Sequence, residues 1–389
     1  MSHPPIRVAF FPDSYHEVNG VANTARRFES YARRRELPML LVAGANATRR
    51  ESDGSITRME YARGPLSFHL EKDLLFDPAF LRHHRAIADT LREFKPDVVH
   101  VTGPSDIGIA GLTVAHELGL PLTASWHTNV HEYAGKRTSV FVPDVFEQIT
   151  CAKVQDAVFA LTSRFYKAAR FLFAPNPELI AQLAAATGKP CFLMSRGVDS
   201  AAFAAAYRDR QEDGMVEIGY VGRLSPEKNV RELATIGRAM IEAGIGNFRI
   251  VIVGHGSESA WLEKNVPNAV LAGVRTGADL ARAYANFDIF VFPSKTDTFG
   301  NVVLEALASR VPVVTAGSGG PKFIVEDGST GFNAESSQQF CESVLRLARD
   351  PSLRSRMGAA ARKAAERSSW SSVFDFVYST YAAQLGFHA

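Results

Sequence analysis

Two carboxylates flank a predicted helix start, in a segment whose residue types suit sugar and nucleotide binding. An apolar run at 289–292 is typical of a buried strand; a polar loop with Asp297 follows, and Glu305 lies eight positions later in a helix-like stretch, 300–309. Thr298 is placed to cap that helix. One carboxylate can then contact a sugar while the other accepts hydrogen bonds from ribose hydroxyls. The alternative is that Asp297 caps the helix and Glu305 is a solvated side chain.

Two other predicted strand ends carry groups suited to a pyrophosphate. Arg223 and Lys228 follow the run 216–220 and provide two cations that can neutralise a diphosphate leaving group. Gly319 and Gly320 follow the run 311–314, and their backbone N–H groups can approach a phosphate closely because they lack side chains. Pro321 suits the first turn of a following helix. Each feature alone is also typical of an ordinary solvated loop; together they indicate an anion site at the strand ends.

Short apolar runs alternate with longer amphipathic stretches along the whole chain. The runs at 6–11, 39–43, 98–101 and 122–125 form a first set, and those at 216–220, 248–253, 269–271, 289–292 and 311–314 form a second. Continuous rather than alternating apolar strands are typical of parallel sheets covered on both faces. The pattern predicts an α/β protein with two Rossmann-like domains and a hinge near 196–210.

We predict an N-terminal domain over 1–196 and a C-terminal domain over 197–370. A final amphipathic helix follows, with apolar side chains on one side over 370–385. Pattern alone leaves two options for this helix: it caps its own domain, or it crosses back and completes the first domain with residues 371–389.

Composition excludes several classes of protein. Forty-three basic against 41 acidic residues give a net charge of +2, which offers no global field for nucleic acid. The three cysteines are far apart in sequence, which argues against a disulfide framework or a thiolate zinc site. The N-terminus lacks the features of a secretory signal, and no run of about 18 apolar residues predicts a membrane-spanning helix. We expect a cytoplasmic protein.

The ordered set of motifs resembles glycosyltransferase family 4. The resemblance is carried in the second half by the acidic-x7-Glu segment, the Gly-Arg-Leu-x-x-Glu-Lys segment from Gly222 and the Gly-Gly-Pro turn. The first half agrees through segments beginning at Phe11 (Phe-Pro-Asp-Ser-Tyr), Asn19 (Asn-Gly-Val), Pro96 (Pro-Asp-Val-Val-His) and Trp126 (Trp-His-Thr-Asn). The likeness spans residues 7–381. It implies retaining enzymes with the GT-B fold, two facing Rossmann-like domains, and is nearest to bacterial mannosyl-, glucosyl- and sulfoquinovosyl-transferases.

The resemblance implies a donor site in the second domain. Glu305 would bind the donor ribose, Asp297 would hold donor-sugar hydroxyls, and Arg223 and Lys228 would grip the diphosphate. The further residues that it assigns to the donor are Arg196, Val274, Arg275, Phe299, Gly300, Asn301 and Val302. Two departures from the family pattern stand here: Asp297 where Glu is commoner, and Lys322 after Pro321 where Glu is common.

The resemblance also implies groups from the first domain. Gly20 would approach the diphosphate, and His127 would lie near the reacting sugar as a catalytic group. The alternative for His127 is a packed histidine at a strand end. The positions that remain as possible phosphate or acceptor contacts are Asn19, Asn129, Gly319 and Gly320.

We therefore expect a retaining hexosyltransferase that moves a sugar from a UDP- or GDP-linked donor to a lipid or glycan. No Asp-x-Asp sequence occurs in the chain, so we expect no metal requirement and no cofactor beyond the donor itself. The alternatives are a nucleotide-sugar epimerase-like enzyme and an inactive GT-B module that binds nucleotide as a partner protein. A Rossmann dehydrogenase is disfavoured because the dinucleotide fingerprint is missing.

Basic residues in the first half suggest a membrane-facing surface. They are Arg26, Arg27, Arg33, Arg34 and Arg35 on the first predicted helix, and His69, Lys72, Arg82, His83, His84 and Arg85 in a second stretch. A basic amphipathic surface can dock on anionic lipid, which would place the protein peripherally at the inner face of the membrane. The alternative is a solvated helix face whose charges offset Glu29 and Glu36.

Overall fold

The computed structural model describes residues 4–17, 20–71, 74–127, 157–210 and 214–387. The chain divides into two compact units: unit 1 comprises Met1–Ser195 with Trp370–Ala389, and unit 2 comprises Arg196–Ser369. Each unit is built on a mainly parallel β-sheet, which confirms the predicted α/β class and the two Rossmann-like domains. Two of the predicted contact positions, Asn19 and Asn129, lie outside the described residues.

The sheet of unit 1 has eight strands. The strands of unit 1 in chain order are β1 (Val8–Phe11), β2 (Met39–Ala45), β3 (Arg49–Asp53), β4 (Ile56–Ala62), β5 (Phe68–Glu71), β6 (Leu74–Phe76), β7 (Val98–Val101), β8 (Leu122–Ser125), β9 (Phe171–Ala174) and β10 (Cys191–Leu193). The main sheet has the order β10-β9-β8-β7-β1-β2-β4-β3, and all its pairings are parallel except β3 with β4. β5 and β6 form a separate antiparallel hairpin.

Helices cover this sheet. They are α1 (Gly20–Arg34), α2 (His84–Phe94), α3 (Asp106–Glu117) and α4 (Pro177–Thr187), and residues 157–166 are also helical. Local sequence explains where two of them begin. The Ser105 side chain accepts a hydrogen bond from the Gly108 N–H at the start of α3, and Asn176 caps α4 in the same way through the Leu179 N–H.

Unit 2 has a six-stranded, fully parallel sheet. Its strands are β11 (Val216–Val221), β12 (Phe248–Val253), β13 (Ala269–Gly273), β14 (Ile289–Phe292), β15 (Val313–Ala316) and β16 (Gly331–Ala334). Its helices are α5 (Glu232–Glu242), α6 (Ser259–Asn265), α7 (Gly277–Asn286), α8 (Asn301–Ala308), α9 (Ser337–Arg349) and α10 (Pro351–Arg367). Strands β11, β14 and β15 are buried along their whole length, as continuous apolar runs predict for a sheet covered on both faces.

The strand order of unit 2 places a switch point between β11 and β14. The order is β13-β12-β11-β14-β15-β16, so the chain adds strands on one side of β11 and then crosses to the other. The loops that leave β11 and β14 therefore diverge at the carboxyl edge of the sheet. Open α/β sheets bind ligands in the crevice at such a point.

The final helix, α11 (Trp370–Leu385), packs in unit 1. Phe374 stacks on Phe28 of α1 with ring centroids 4.7 Å apart, and Tyr381 lies against Phe173 of β9. Trp370, Phe374 and Tyr381 belong to the buried core that includes β1 and β2. The structure thus selects the second of the two options: the helix returns to the first domain.

Candidate functional site

The switch point of unit 2 holds a short ion pair. Lys228 ends a single 3-10 turn after β11, and Asp297 lies in the loop after β14; their Nζ and Oδ1 atoms are 2.5 Å apart. Both side chains are largely buried, with 12% and 17% of their surfaces exposed. Asp297 Oδ2 is buried and has no hydrogen-bond partner among the described residues. One carboxylate oxygen therefore orients the lysine, and the other remains an acceptor for a ligand hydroxyl.

Arg223 lies on the same loop as Lys228 but is more exposed. Its guanidinium is 3.8 Å from the Glu227 carboxylate, and its side chain is 56% exposed. Glu227 also accepts a hydrogen bond of 2.6 Å from Ser225 Oγ. Burial alone would raise the pKa of Glu227, but that bond and the charges of Arg223 and Lys228 bring it below its ordinary value. Glu227 is a residue of the loop to which the sequence analysis gave no role.

Glu305 is fixed by a buried tyrosine. It lies on α8, and its Oε2 accepts a hydrogen bond of 2.8 Å from the Tyr284 hydroxyl of α7. Tyr284 is fully buried, and burial together with the Glu305 charge raises its pKa well above the ordinary value, so the phenol stays protonated and donates. The alternative of a merely solvated Glu305 is wrong. Sequence reasoning missed Tyr284 because nothing in the spacing shows that α7 and α8 are neighbours.

The N-cap residue of α8 is not the predicted Thr298. Gly300 occupies the N-cap position in a left-handed conformation with φ 100°. Asp297 is not the N-cap residue either. The left-handed region is unfavourable for any residue with a Cβ, which explains a glycine at this turn. Asn301 and Val302 follow as the first two residues of the helix, and Phe299 is buried beside them.

Gly319 and Gly320 allow the loops after β14 and β15 to touch backbone to backbone. The Gly320 N–H donates to the Asp297 carbonyl at 2.6 Å, and a Cβ on Gly320 would lie 2.0 Å from the Thr298 oxygen. Gly319 has φ 75°. Pro321 is in the first turn as predicted, but the segment Gly320–Phe323 is a single 3-10 turn rather than a longer helix. The glycines thus hold the Asp297 loop in place.

The loops after β12 and β13 complete this edge of the sheet. The Gly254 N–H donates to the Gly273 carbonyl at 2.9 Å, and the Leu224 N–H donates to the His255 carbonyl at 3.1 Å. Val274 follows Gly273 and is 69% exposed, next to an exposed Arg275. These bonds link the loop after β12 both to the end of β13 and to the loop after β11. The short Gly-His-Gly segment that begins at Gly254 therefore supports the loop that carries Arg223.

His127 lies two residues after the end of β8 in unit 1. Its Nε2 is 2.6 Å from Ser125 Oγ, and the residue is 7% exposed. Gly20 is the exposed first residue of α1. Arg196, the first residue of unit 2, is buried, and burial lowers the pKa of its guanidinium to about 10. The guanidinium is still charged at neutral pH.

Comparison with known proteins identifies the family. A model of glycosyltransferase family 4 matches residues 18–202, and a model of the glycosyl transferases group 1 matches residues 216–350. A GDP-mannose-dependent alpha-mannosyltransferase of Mycolicibacterium smegmatis is 32% identical over 394 residues, which cover 98% of each chain. The chain belongs to glycosyltransferase family 4. This glycosyltransferase therefore uses a nucleotide sugar as its donor.

Further relatives agree on the family and the fold. The sulfoquinovosyl transferase of Arabidopsis thaliana is 30% identical over 94% of this glycosyltransferase and 71% of its own length. The structure of sucrose-phosphate synthase from Thermosynechococcus elongatus superposes with a TM-score of 0.74 at 17% identity, covering 98% of this chain and all of the other. The GT-B fold expected from the motifs is confirmed.

The sequence analysis gave no role to Asp13, a carboxylate of unit 1. Asp13 follows β1, and its Oδ1 accepts a hydrogen bond of 2.6 Å from Ser105 Oγ. Burial raises the pKa of Asp13 to about 6, although the Ser105 bond acts in the opposite direction. The strand β1 lies next to β7, whose neighbour β8 leads to His127. The sequence signal for Asp13 was the Phe-Pro-Asp segment that begins at Phe11, which the sequence analysis used only for the family resemblance.

Several of the basic side chains of unit 1 lie next to carboxylates. Arg33 is 2.9 Å from Glu29, Arg82 is 2.6 Å from the buried Asp77, and His84 is 2.8 Å from Glu117. Lys72 lies outside the described residues. In the part of the chain that the structure describes, no helix is both long and apolar enough to traverse a bilayer.

Proposed function

We propose that this enzyme transfers a hexose with retention from a nucleotide diphosphate sugar to a lipid or glycan acceptor, without a metal ion. GDP-mannose is the first donor to test, because the relative that is 32% identical is named GDP-mannose-dependent. The observation that carries the proposal is the pair Lys228–Asp297 at the switch point, where one buried carboxylate oxygen has no partner within the described segments.

The cations of unit 2 stabilise the leaving diphosphate in this proposal. Charge develops on the β-phosphate as its bond to the sugar breaks, and Lys228 and Arg223 are placed on one loop to neutralise it. The described residues contain no group of three or more His, Cys, Asp or Glu side chains that could hold a metal ion. We expect full activity in EDTA; loss of activity that Mn²⁺ restores would contradict this part of the proposal.

The carboxylates of unit 2 recognise the donor. Asp297 Oδ2 accepts from donor-sugar hydroxyls, and Glu305 accepts from the ribose diol while Tyr284 holds its other oxygen. The backbone of the exposed residues Val274 and Arg275 meets the base in this proposal. These assignments follow the family motif, and the hydrogen-bond geometry of unit 2 supports them.

In the proposed route to retention, the acceptor oxygen attacks the anomeric carbon on the face from which the phosphate leaves. The bond from that carbon to the β-phosphate oxygen breaks, the new glycosidic bond forms, and the acceptor proton passes to the departing phosphate. His127 orients the donor sugar through a hydrogen bond. The anomeric configuration of the product, determined by NMR, tests retention, and a trapped covalent glycosyl-enzyme would refute attack on the same face.

A panel of GDP- and UDP-sugars in a thermal-unfolding assay identifies the donor. A donor at about a hundredfold excess over its Kd stabilises the folded protein by about 2.7 kcal/mol. We expect GDP-mannose to raise the Tm and GDP alone to raise it less. If no nucleotide sugar shifts the Tm, the proposal is wrong; isomerised donor formed without an acceptor would instead indicate an epimerase.

A lipid acceptor would lie in a membrane, so contact with a membrane surface is part of the proposal. The residues that support it in unit 1 are the basic side chains of α1, together with the exposed Leu66 and Phe68. Flotation with anionic and with neutral liposomes measures this directly. Binding to neither kind would remove the membrane from the proposal and leave the transfer reaction unaffected.

A further inference from the structure

A continuous chain of hydrogen bonds runs through the core of unit 1 from α11 to His127. Tyr381 Oη is 2.5 Å from His100 Nδ1, His100 Nε2 is 2.8 Å from Ser125 Oγ, and Ser125 Oγ is 2.6 Å from His127 Nε2. Tyr381 and His100 are fully buried and Ser125 is 1% exposed. The residues come from α11, β7 and β8, so the chain exists only because α11 packs in unit 1.

The direction of these hydrogen bonds is set at Tyr381. Burial raises the pKa of its phenol well above the ordinary value, so the oxygen carries its proton. Among the described residues, His100 Nδ1 is the hydrogen-bond partner of that hydroxyl. A buried hydroxyl that does not donate costs about 1–3 kcal/mol. Tyr381 therefore donates and His100 Nδ1 accepts.

His100 transmits this direction. Its ring packs against Phe10, Phe28 and Phe173, and burial lowers its pKa to about 3, so the imidazole is neutral. A neutral imidazole has one N–H group, and here Nδ1 already accepts. The proton is therefore on Nε2, which donates to Ser125 Oγ.

Ser125 has one proton to donate and two described partners. Its oxygen accepts from His100 Nε2, so its own hydrogen has one remaining acceptor at hydrogen-bond distance, His127 Nε2. If His127 donated from Nε2 instead, the Ser125 hydrogen would have no partner within the described core. When every donor from Tyr381 to Ser125 has an acceptor, His127 Nε2 accepts the hydrogen bond from Ser125.

We propose that Tyr381, His100 and Ser125 are positioning residues that hold His127 in the tautomer with its proton on Nδ1, the form that can donate an N–H group to a hydroxyl oxygen of the donor sugar. This inference rests on the role proposed above for His127 and adds its tautomer and the residues that set it. With the proton on Nδ1, the histidine donates to a hydroxyl oxygen, whereas in the opposite tautomer Nδ1 would accept from the hydroxyl hydrogen.

Nitrogen NMR of the full chain labelled with ¹⁵N-histidine tests the proposal directly. Neutral histidine tautomers differ in which ring nitrogen is protonated, and the His127→Gln and His100→Gln variants assign the two signals. We expect opposite tautomers: Nδ1–H for His127 and Nε2–H for His100. An Nε2–H tautomer at His127 would overturn the inference.

Activity measurements separate positioning from folding. Tyr381→Phe removes only the hydroxyl, and we expect kcat to fall about tenfold with a mixed His127 tautomer. Ser125→Ala should show the same fall in kcat and the same mixed His127 tautomer. Ser125→Thr keeps a hydroxyl, so it should have the kcat and the His127 tautomer of the wild type. Tyr378→Phe is the matched control. Its hydroxyl on the same helix is buried and has no hydrogen-bond partner in the described part of the chain, so its loss should change neither kcat nor the His127 tautomer. A tenfold loss in Tyr378→Phe would contradict the proposal.

Failure of the inference differs from failure of the proposed function. In a His127→Gln background, Tyr381→Phe should cause no further loss of kcat, because the tyrosine acts through His127. If His127→Gln itself is fully active, the proposed role of His127 is wrong. If it is inactive but Tyr381→Phe has wild-type kcat and an unchanged tautomer, only the positioning inference is wrong.

Discussion

The Lys228 ammonium lies 2.5 Å from the Asp297 carboxylate, although the two residues are 69 positions apart in the chain. They extend from β11 and β14, the two strands at which the order of the sheet in unit 2 reverses. The pair therefore presents a cation and an acceptor oxygen side by side, as a bound diphosphate and its attached sugar require in the proposed reaction.

Replacing Lys228 by alanine should remove one of two cations from the leaving diphosphate. Loss of a single preorganised charge contact commonly lowers kcat by roughly 10²–10³. We expect kcat/KM of Lys228→Ala to fall by this factor in a steady-state assay with the donor found by thermal unfolding. Lys295→Ala is the control, because Lys295 is exposed in the same loop as Asp297 and should be near wild type. Equal losses in both variants would argue against a specific role for Lys228.

The hydroxyl of Tyr284 should contribute to donor binding through Glu305. Hydrogen bonds to charged groups are worth about 1.5–3 kcal/mol, so Tyr284→Phe should raise the donor Kd about tenfold or more. Isothermal titration with donor measures this. Tyr207→Phe is the control, since Tyr207 is 48% exposed and lies outside the predicted site. An unchanged Kd in Tyr284→Phe would mean that this bond serves stability alone.

A side chain at Gly320 should separate the loops after β14 and β15. The added Cβ of Gly320→Ala would lie 2.0 Å from the Thr298 oxygen, so the backbone must shift, at a cost of about 3 kcal/mol. Urea unfolding should show that loss together with loss of donor binding. Gly246→Ala is matched within unit 2, because its Cβ would meet nothing within 4 Å. A Gly320→Ala protein as stable as Gly246→Ala would contradict the loop geometry.

Protonation of His100 should destabilise unit 1 in acid. The pKa of His100 is about 3 in the folded protein and near 6.5 in an unfolded chain, so the unfolded state binds the additional proton between these values. The free energy of unfolding should fall by up to about 1.4 kcal/mol for each pH unit as the pH decreases through this window. The contribution is fully present above pH 6.5.

His100→Gln isolates this effect. The glutamine has no proton to gain, so its unfolding free energy should fall less steeply between pH 6 and pH 4 than that of the wild type, as measured by urea titrations. The other titratable groups are common to both proteins. Parallel slopes would show that His100 does not stay neutral in the folded state.

Continuous apolar runs predicted most of the strands that position the site. The runs at 98–101, 122–125, 248–253 and 289–292 coincide with β7, β8, β12 and β14. β3 was missed because all five of its residues are polar and exposed, so no hydrophobic pattern marks it. β9 was missed although its four residues are apolar and buried.

The candidate site was predicted in its residue types but not in its contacts. Asp297, Glu305 and Lys228 were selected from local spacing at strand ends, and unit 2 brings Lys228 to Asp297. The partners Tyr284 and Tyr381 could not be found in this way, because their bonds depend on which helices are neighbours. The bond from Tyr381 to His100 spans 281 positions, a separation at which periodicity carries no information.

The discontinuity of unit 1 has a consequence for biosynthesis on the ribosome. Unit 2 is one uninterrupted stretch, Arg196–Ser369, whereas the core of unit 1 needs Trp370, Phe374 and Tyr381, which are translated after it. Domains generally fold as units during synthesis. The first unit to begin synthesis therefore cannot complete its core until α11, beyond the whole of unit 2, has been translated.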